Sequence, residues 1–237
     1  MQKIIITAGG TSEKIDNVRK ITNSGTGKLG LAIANHLAKK DVMIYYICSK
    51  NAVRPSNVAN IKVIEIENTN DLKRAIENLL TTEKIVYFIH SMAVSDYTTD
   101  YVTTIERIKN SLKSSADIEE AFRNIQNLIG SKISSSEDNL VIVLKPTPKI
   151  ISMIKTLSPE TYLVGFKLLD NVSKEHLIEV ATKLCDKNHC DLVVTNDLED
   201  IRNGNHLAFI FDKQGAIEEA YDKEDIARKL SRKMFTY

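Results

Sequence analysis

The stretch Ile4-Ile5-Ile6-Thr7-Ala8-Gly9-Gly10-Thr11, closed by Asn23-Ser24-Gly25-Thr26-Gly27-Lys28-Leu29-Gly30, decides how the rest of the chain is read. The β-branched apolar run predicts a buried strand of the kind found in parallel sheets. It feeds a double glycine and a polar, charged loop. A glycine-rich turn follows and opens a helix, with Leu29, Ile33 and Leu37 at helical spacing. A strand, a glycine turn and a helix N-terminus in that order present backbone N–H groups to an anion, above all a phosphate.

Outward from this opening the pattern alternates. Strands are expected at 42–48, 61–66, 85–89, 140–144, 162–165, 191–195 and 207–211. Between them lie amphipathic helices, one capped by Thr69 or Asn70 and carrying Leu72, Ile76 and Leu79. Thr147-Pro148 opens another in cap-then-proline order, and Ser173 begins a third with Leu177, Val180, Ala181 and Leu184. A turn at 213–215 precedes a last helix bearing Ile226 and Leu230. Residues 98–130 break the alternation: they read as polar helix without strand, with Ile118, Phe122, Ile125 and Ile129 on one side and Gly130 as C-cap. The expectation is one domain over 1–237. Its fold is Rossmann-like α/β, a mostly parallel twisted sheet flanked by helices, with an inserted helical arm or lid at 98–131. Ligands of such sheets lie beyond the C-terminal strand ends, here the loops 8–11, 48–51, 90–97, 145–148, 165–167 and 195–198.

Composition narrows the class. The 237 residues carry a net charge of +1, which gives no bulk attraction to nucleic acid or to a membrane surface. No apolar run reaches the ~18 residues of a membrane span, and the N-terminal isoleucines are too few for a secretory signal. Three cysteines, an odd number, point to free thiols in a reducing compartment. The expected location is the cytoplasm.

The motifs taken singly point several ways. Gly25, Gly27 and Gly30 spell a dinucleotide fingerprint, but residues 11–24 separate it from its strand, and the second strand ends in Cys48-Ser49-Lys50 without the acidic residue a ribose would need. A P-loop fails because Thr22 and Leu29 stand where Gly and Ser or Thr are required. Cys185, His189 and Cys190 match no standard zinc spacing and read better as ordinary thiols. His90 and His206 lie near strand ends; His36 and His176 read as solvated. Lys132, among Gly130, Ser131 and Ser134 to Ser136, is either a mobile clamp for a triphosphate or a solvated loop lysine. Phe166 after Gly165 either stacks on a base or fills the core. Asn23 either donates to an acyl oxygen or simply shapes a turn.

Together these residues resemble a known family. Ile6-Thr7-Ala8-Gly9-Gly10-Thr11, Ile15-Asp16-Asn17-Val18-Arg19, Ile21-Thr22-Asn23 and Gly27-Lys28-Leu29-Gly30 closely resemble phosphopantothenate–cysteine ligase. The resemblance continues through Ala93-Val94-Ser95-Asp96-Tyr97, Lys132-Ile133-Ser134-Ser135, Lys145 with Pro148, Val164-Gly165-Phe166 and Thr195-Asn196-Asp197. It implies a stand-alone ligase of coenzyme A biosynthesis that joins 4′-phosphopantothenate to L-cysteine through an acyl-nucleotide, with release of pyrophosphate. It also implies Mg²⁺ on the nucleotide phosphates and a homodimer sharing the substrate site. By the same resemblance Gly10, Gly27, Gly30, Phe166 and Asn196 line the nucleotide site. Lys132 holds the phosphates, and Lys183 and Lys187, one helical turn apart, add to it. Arg19, Asn23, Ala93 and Asp96 face the pantothenoyl part, with Asn23 serving the second half-reaction.

Two departures bear on the nucleotide. The family usually has Ser-Ser where this chain has Gly25-Thr26, and Ser134-Ser135 replaces the lysine-rich run of fused bacterial enzymes. CTP is expected over ATP because the chain is otherwise of the small bacterial type. The rival classes are an NAD(P)-dependent short-chain reductase and a non-catalytic nucleotide sensor. The reductase would need Tyr-x-x-x-Lys; Tyr45, Tyr97 and Tyr162 are followed at that place by Ser49, Tyr101 and Phe166.

Overall fold

Ile4, Ile5 and Ile6 are completely buried, because the strand that carries them is covered on both faces. The computed structural model describes residues 1–56, 59–125, 128, 132–134 and 139–235. In chain order the elements are β1 (Gln2–Ala8), β2 (Ser12–Lys14), β3 (Lys20–Thr22), α1 (Lys28–Leu37), β4 (Val42–Ser49), β5 (Ile61–Ile66), α2 (Thr69–Thr82) and β6 (Ile85–His90). There follow β7 (Tyr97–Thr104), α3 (Ile105–Leu112), α4 (Ile118–Asn124), β8 (Leu140–Pro146), α5 (Ile150–Leu157), β9 (Tyr162–Leu169) and α6 (Lys174–Asn188). The last are β10 (Leu192–Asp197), α7 (Leu198–Arg202), β11 (Ala208–Asp212), β12 (Ile217–Ala220) and α8 (Lys223–Phe235). The chain forms two compact units, one of residues 1–11, 24–94 and 149–237, the other of residues 12–23 and 95–148.

The first unit is the expected Rossmann-like sheet. Its eight strands run β12-β11-β10-β9-β6-β1-β4-β5. The pairs from β5 to β10 are parallel, and β11 and β12 add an antiparallel edge. Strand order reverses between β1 and β6, the switch point at which sheets of this kind leave a crevice for a ligand. Side chains alternate between faces. Ile4, Ile6, Tyr46 and Val194 pack with Ile33 and Leu37 of α1 and Ile226 and Leu230 of α8. Ile5, Ile47, Phe88 and Val193 pack with Leu72 and Ile76 of α2, Ile154 of α5, and Leu177 and Ala181 of α6. Each such fully buried aliphatic side chain contributes roughly 1.5–3 kcal/mol.

Local chemistry sets the helix ends. Asn68, not Thr69 or Asn70, caps α2: its side chain accepts from Asp71 N–H at 2.9 Å while Asp71 reaches back to the Asn68 N–H. Ser173 caps α6 as expected, and His189 closes it in the left-handed conformation at φ 53°. Strand β9 runs on to Leu169, well past the expected end at 165.

The second unit corrects the expectation for 98–131. A strand, β7, occupies residues assigned to polar helix, and it pairs antiparallel with β8 from Tyr97–Pro146 to Thr104–Leu140. Thr, Tyr and Val dominate β7; all three favour a pleated, half-buried surface, and the threonines disguise it as a polar stretch. Strand β8 is therefore outside the parallel sheet, and 145–148 is not one of that sheet's strand-end loops. Helices α3 and α4 do form, capped by Thr104 and Asp117. Residues 12–23, read as loop, contain the β2–β3 ribbon. Ile129 and Gly130 lie outside the described residues.

Thr147-Pro148 does not open α5. That helix begins at Ile150 behind Lys149, with no side-chain cap, and the Thr147 hydroxyl donates instead to the Ser95 carbonyl.

Candidate functional site

In the first unit the loops after β1 and β6 are tied together at the switch point. Ala93 N–H donates to the Gly9 carbonyl at 2.9 Å, and Thr11 N–H donates to the Ala93 carbonyl at 3.1 Å. Gly10 and Ala93 thereby form an isolated parallel bridge beyond the two strands. The chain leaves this unit after Thr11 and re-enters it at Ser24. Without that excursion, Gly9-Gly10-Thr11 and Ser24-Gly25-Thr26-Gly27 are the two sides of a single turn between β1 and α1. The two sides touch: a Cβ at Gly25 would sit 2.6 Å from the Gly9 carbonyl oxygen, so no side chain is accommodated there.

Gly27 is the residue before α1, at φ 78°, a conformation costly for residues with a side chain. No side chain caps α1, and no acidic residue stands in its first turn. Its leading N–H groups and the positive end of its dipole therefore suit an anion. The turn is held from below and from the side. Tyr46 Oη donates to the Val53 carbonyl at 3.1 Å, and Val53 N–H donates to the Thr26 carbonyl at 3.1 Å. Burial pushes the Tyr46 hydroxyl well above the usual tyrosine range, so it remains a donor. Gly30, buried in the first turn of α1, faces Ala8 and Ser91.

The strands on the other side of the switch point contribute Phe166 and Asn196. Phe166, on β9 opposite Val194, is half-buried and packs against the α1/α8 side of the sheet. Asn196, two residues after Val194, is half-buried on the same side by strand alternation. Gly10, Gly27, Gly30, Ala93, Phe166 and Asn196 thus belong to one end of one unit.

Lys183 and Lys187 do not join them. They lie in the second half of α6, which packs on the opposite face and runs from the C-terminal end of β9 back to the N-terminal end of β10. Lys183 Nζ binds Glu179 Oε1 at 2.5 Å. One helical turn of spacing was legible in the sequence; the face and the end of the sheet were not.

Below the switch point lies a buried polar knot that the sequence left open. Thr7 Oγ1 and His90 Nδ1 share a hydrogen bond of 2.9 Å, Met92 N–H donates to Thr7 Oγ1 at 3.3 Å, and Ser91 Oγ donates to the Thr7 carbonyl at 2.7 Å. Burial pushes His90 down to about 4, so the imidazole is neutral at pH 7 and braces the loop through its hydrogen bond to Thr7.

The second unit holds the other candidates. Asn23 follows β3 and donates from Nδ2 to Ser95 Oγ at 3.2 Å. Ser95 is buried, its carbonyl taking the Thr147 hydroxyl, and the exposed Asp96 accepts Thr147 N–H at 3.0 Å through its carbonyl. Asp16, whose side chain is fully buried, accepts Val18 N–H at 2.7 Å and Arg19 N–H at 2.6 Å on Oδ1. Its Oδ2 accepts Arg19 Nη1 at 3.2 Å and Ile133 N–H at 3.2 Å. The backbone donors from Arg19 and Val18, then Ile133, with the Arg19 charge, hold the Asp16 carboxyl below its usual range. Arg19 Nη2 also reaches the Ile133 carbonyl at 3.4 Å. Lys132, exposed, immediately precedes that pinned residue.

Asp16, Ser95 and Thr147 had no assigned role in the sequence. An Asp two and three residues before the N–H groups it binds is an Asx-turn signature, and it was the available signal for Asp16.

The cysteines are all free and buried, and among the described residues no group of three or more His, Cys, Asp or Glu side chains is placed to hold a metal ion. A cleft of about 310 Å³ at the C-terminal end of β10 is lined by Asp197, Glu199, Asp200 and Glu219 against Lys174. Lys174 is itself bound to Glu219 at 2.9 Å, so the cleft has the wrong sign for a phosphate.

Known proteins share this architecture. The model of the DNA/pantothenate metabolism flavoprotein C-terminal domain matches residues 1–121 and 121–237. A DNA/pantothenate metabolism flavoprotein from Streptococcus pneumoniae superimposes with a TM-score of 0.88 at 38% identity over the whole of both chains. The coenzyme A biosynthesis bifunctional protein CoaBC of Thermococcus kodakarensis is 37% identical over 198 residues, 84% of this chain and 42% of that protein. The chain thus spans less than half the length of that curated relative. The fold is also that of a Cab2 mutant in complex with phosphopantothenate-cysteine, with a TM-score of 0.71 at 15% identity over 99% of this chain and 87% of that one.

Proposed function

Because the chain belongs to the DNA/pantothenate metabolism flavoprotein C-terminal domain family, we propose that it is a phosphopantothenate–cysteine ligase, forming phosphopantothenoylcysteine from 4′-phosphopantothenate, L-cysteine and a nucleoside triphosphate. The observation that carries this is the turn at the switch point, where the bridged Gly10 and Ala93 adjoin the uncapped N-terminus of α1.

In the first half-reaction a carboxylate oxygen of phosphopantothenate attacks the α-phosphorus and pyrophosphate leaves. The chain's task there is positioning and charge neutralisation. The N–H groups of the α1 turn take phosphate oxygens, Phe166 and Asn196 bound the nucleoside, and Lys132 supplies a cation. In the second half-reaction the cysteine amine attacks the acyl carbon, the nucleoside monophosphate departs, and the amine gives up a proton. Asn23 donates to the oxygen that becomes negative at that carbon, and the Ser95 hydroxyl fixes the plane of its amide. Arg19 braces the loop that carries Asn23.

Mg²⁺ is the proposed companion of the triphosphate, where it would neutralise phosphate charge beside Lys132 and the N–H groups of the α1 turn. CTP is the proposed nucleotide. The proposed assembly is a homodimer, supported by Leu140, Ile142 and Leu144, which stand exposed at alternate positions of β8. The proposed location is the cytoplasm; among the described residues no helix is long and apolar enough to cross a membrane. The test is to supply phosphopantothenate, cysteine and Mg²⁺ with CTP, ATP, GTP or UTP and follow pyrophosphate. Release with CTP above the others is expected. Faster release with ATP would reverse the nucleotide assignment, and none with any of the four would refute the activity.

A further inference from the structure

Two side chains assigned to different half-reactions, Lys132 and Asn23, belong to the same unit but to distant parts of the sequence. One carboxylate joins the segments that carry them. Asp16 Oδ1 closes the turn between β2 and β3 through Val18 and Arg19 N–H, and this ribbon delivers Asn23 one residue after β3 ends. Its Oδ2 takes the N–H of Ile133, a contact that spans 117 positions of sequence and is itself buried. That N–H lies in the peptide group joining Lys132 to Ile133, so the plane leaving the Lys132 Cα is fixed by Asp16. On the far side of Ile133 the carbonyl is held by Arg19 Nη2, and the Ile133 side chain is 3% exposed. Three anchors on Ile133 hold the backbone on the C-terminal side of the Lys132 Cα, and the Lys132 side chain itself is exposed. That suits a lysine acting as a point charge on a flexible stem.

We propose that Asp16 is a positioning residue that acts through Lys132: it fixes the root of the phosphate-holding lysine against the ribbon that carries Asn23. This rests on the ligase assignment only for the role of Lys132; the tether itself is independent of any reaction. Burial of a carboxylate is costly unless its lone pairs are met, and here four N–H donors meet them. A charged acceptor with this many donors exceeds what a turn alone requires, since the turn uses Oδ1 only.

The substitution Asp16→Asn separates the two roles. The amide oxygen can replace Oδ1 in the turn, whereas the amide NH₂ placed at Oδ2 meets the N–H of Ile133 donor to donor. The experiment has two readouts on the full chain. The first is amide exchange at Ile133 by NMR, with strand amides such as Val164 reporting on the fold. The second is initial pyrophosphate formation in wild type, Asp16→Asn, Lys132→Ala and the double variant.

Exchange at Ile133 is expected to rise by about tenfold or more in Asp16→Asn while that of Val164 stays put. Pyrophosphate formation should slow by about tenfold, yet Asp16→Asn should add no more than about a twofold loss once Lys132 is already Ala. Unchanged exchange at Ile133 would overturn the tether. Independent, multiplying losses in the double variant would overturn action through Lys132. Should Asp16→Asn unfold, Arg19→Lys, which keeps the charge but not the reach to Ile133 O, must show the same non-additivity in smaller measure. Wild type that releases no pyrophosphate would refute the ligase assignment, while the exchange readout would still decide the tether.

Discussion

The N–H of Ala93 donates to the carbonyl of Gly9 at 2.9 Å, closing the loop after β6 onto the loop after β1 where the strand order reverses. Gly25 completes this arrangement by lying directly against the same Gly9 carbonyl. Gly25→Ala puts a methyl group 2.6 Å from that oxygen, a backbone atom with no rotamer to yield. The two sides of the turn must then part. The expected result is at least a tenfold loss of triphosphate affinity by calorimetry, with the fold retained. Undiminished affinity would show that the turn is not where the phosphates bind.

Asn23→Ala removes the proposed donor to the acyl oxygen and leaves the first half-reaction its own groups. Rapid-quench analysis should show acyl-nucleotide accumulating, with its conversion by cysteine slowed on the order of 10²–10³-fold. Ser95→Ala, which frees the Asn23 amide to rotate, should show the same pattern more weakly. Normal turnover in Asn23→Ala would remove the residue from the mechanism.

Lys132→Ala should act on the other half-reaction. Loss of a charge-assisted contact corresponds to roughly 10–100-fold in the rate of pyrophosphate formation. Cysteine-dependent consumption of preformed acyl-nucleotide should be spared. Equal effects on both steps would contradict a phosphate role.

His90 makes folding pH-dependent in a stated direction. The folded chain holds it near 4, by burial, and the unfolded chain at about 6.5. Between those values the unfolded state binds more protons. The stabilisation is therefore complete above about 6.5 and is lost as pH falls through 4, by about 3 kcal/mol in all. Urea midpoints at pH 7 and pH 4.5 should differ less in His90→Asn than in wild type. An unaltered pH dependence would mean that another group is responsible.

The exposed apolar row on β8 should matter to assembly. Ile142→Glu places a charge in the middle of Leu140, Ile142 and Leu144, and on the proposed assembly sedimentation should report a dimer for wild type and a monomer for the variant. A monomeric wild type would remove the dimer from the proposal.

Much of the first unit was legible because its strands are buried on both faces. Ile4 to Ile6, Val193 with Val194, and the helical rows of α2 and α6 carry periodicities that tertiary context does not override. The second unit was read poorly for the opposite reason. Its strand β7 is built of threonine and tyrosine, half-exposed and paired with a strand some forty residues on, so no local pattern announced it. Turn chemistry and resemblance singled out the glycines and Asn23; the structure places Gly10 and Gly27 at the switch-point turn and Asn23 beside Ser95. The Asp16–Ile133 contact was not legible, because a hydrogen bond between side chain and a distant backbone leaves no periodic trace. Lys183 and Lys187 show the converse: helical spacing says that two residues share a face, but not which layer that face belongs to.

The most direct measurement withholds cysteine. The chain is mixed with stoichiometric 4′-phosphopantothenate, CTP and Mg²⁺, and the quenched mixture is analysed for pyrophosphate and for the phosphopantothenoyl nucleotide by mass spectrometry. One equivalent of pyrophosphate per site together with the acyl-nucleotide, then its disappearance into phosphopantothenoylcysteine when cysteine is added, is the predicted result. Pyrophosphate formed without phosphopantothenate, or no acyl-nucleotide with any triphosphate, would contradict the assignment.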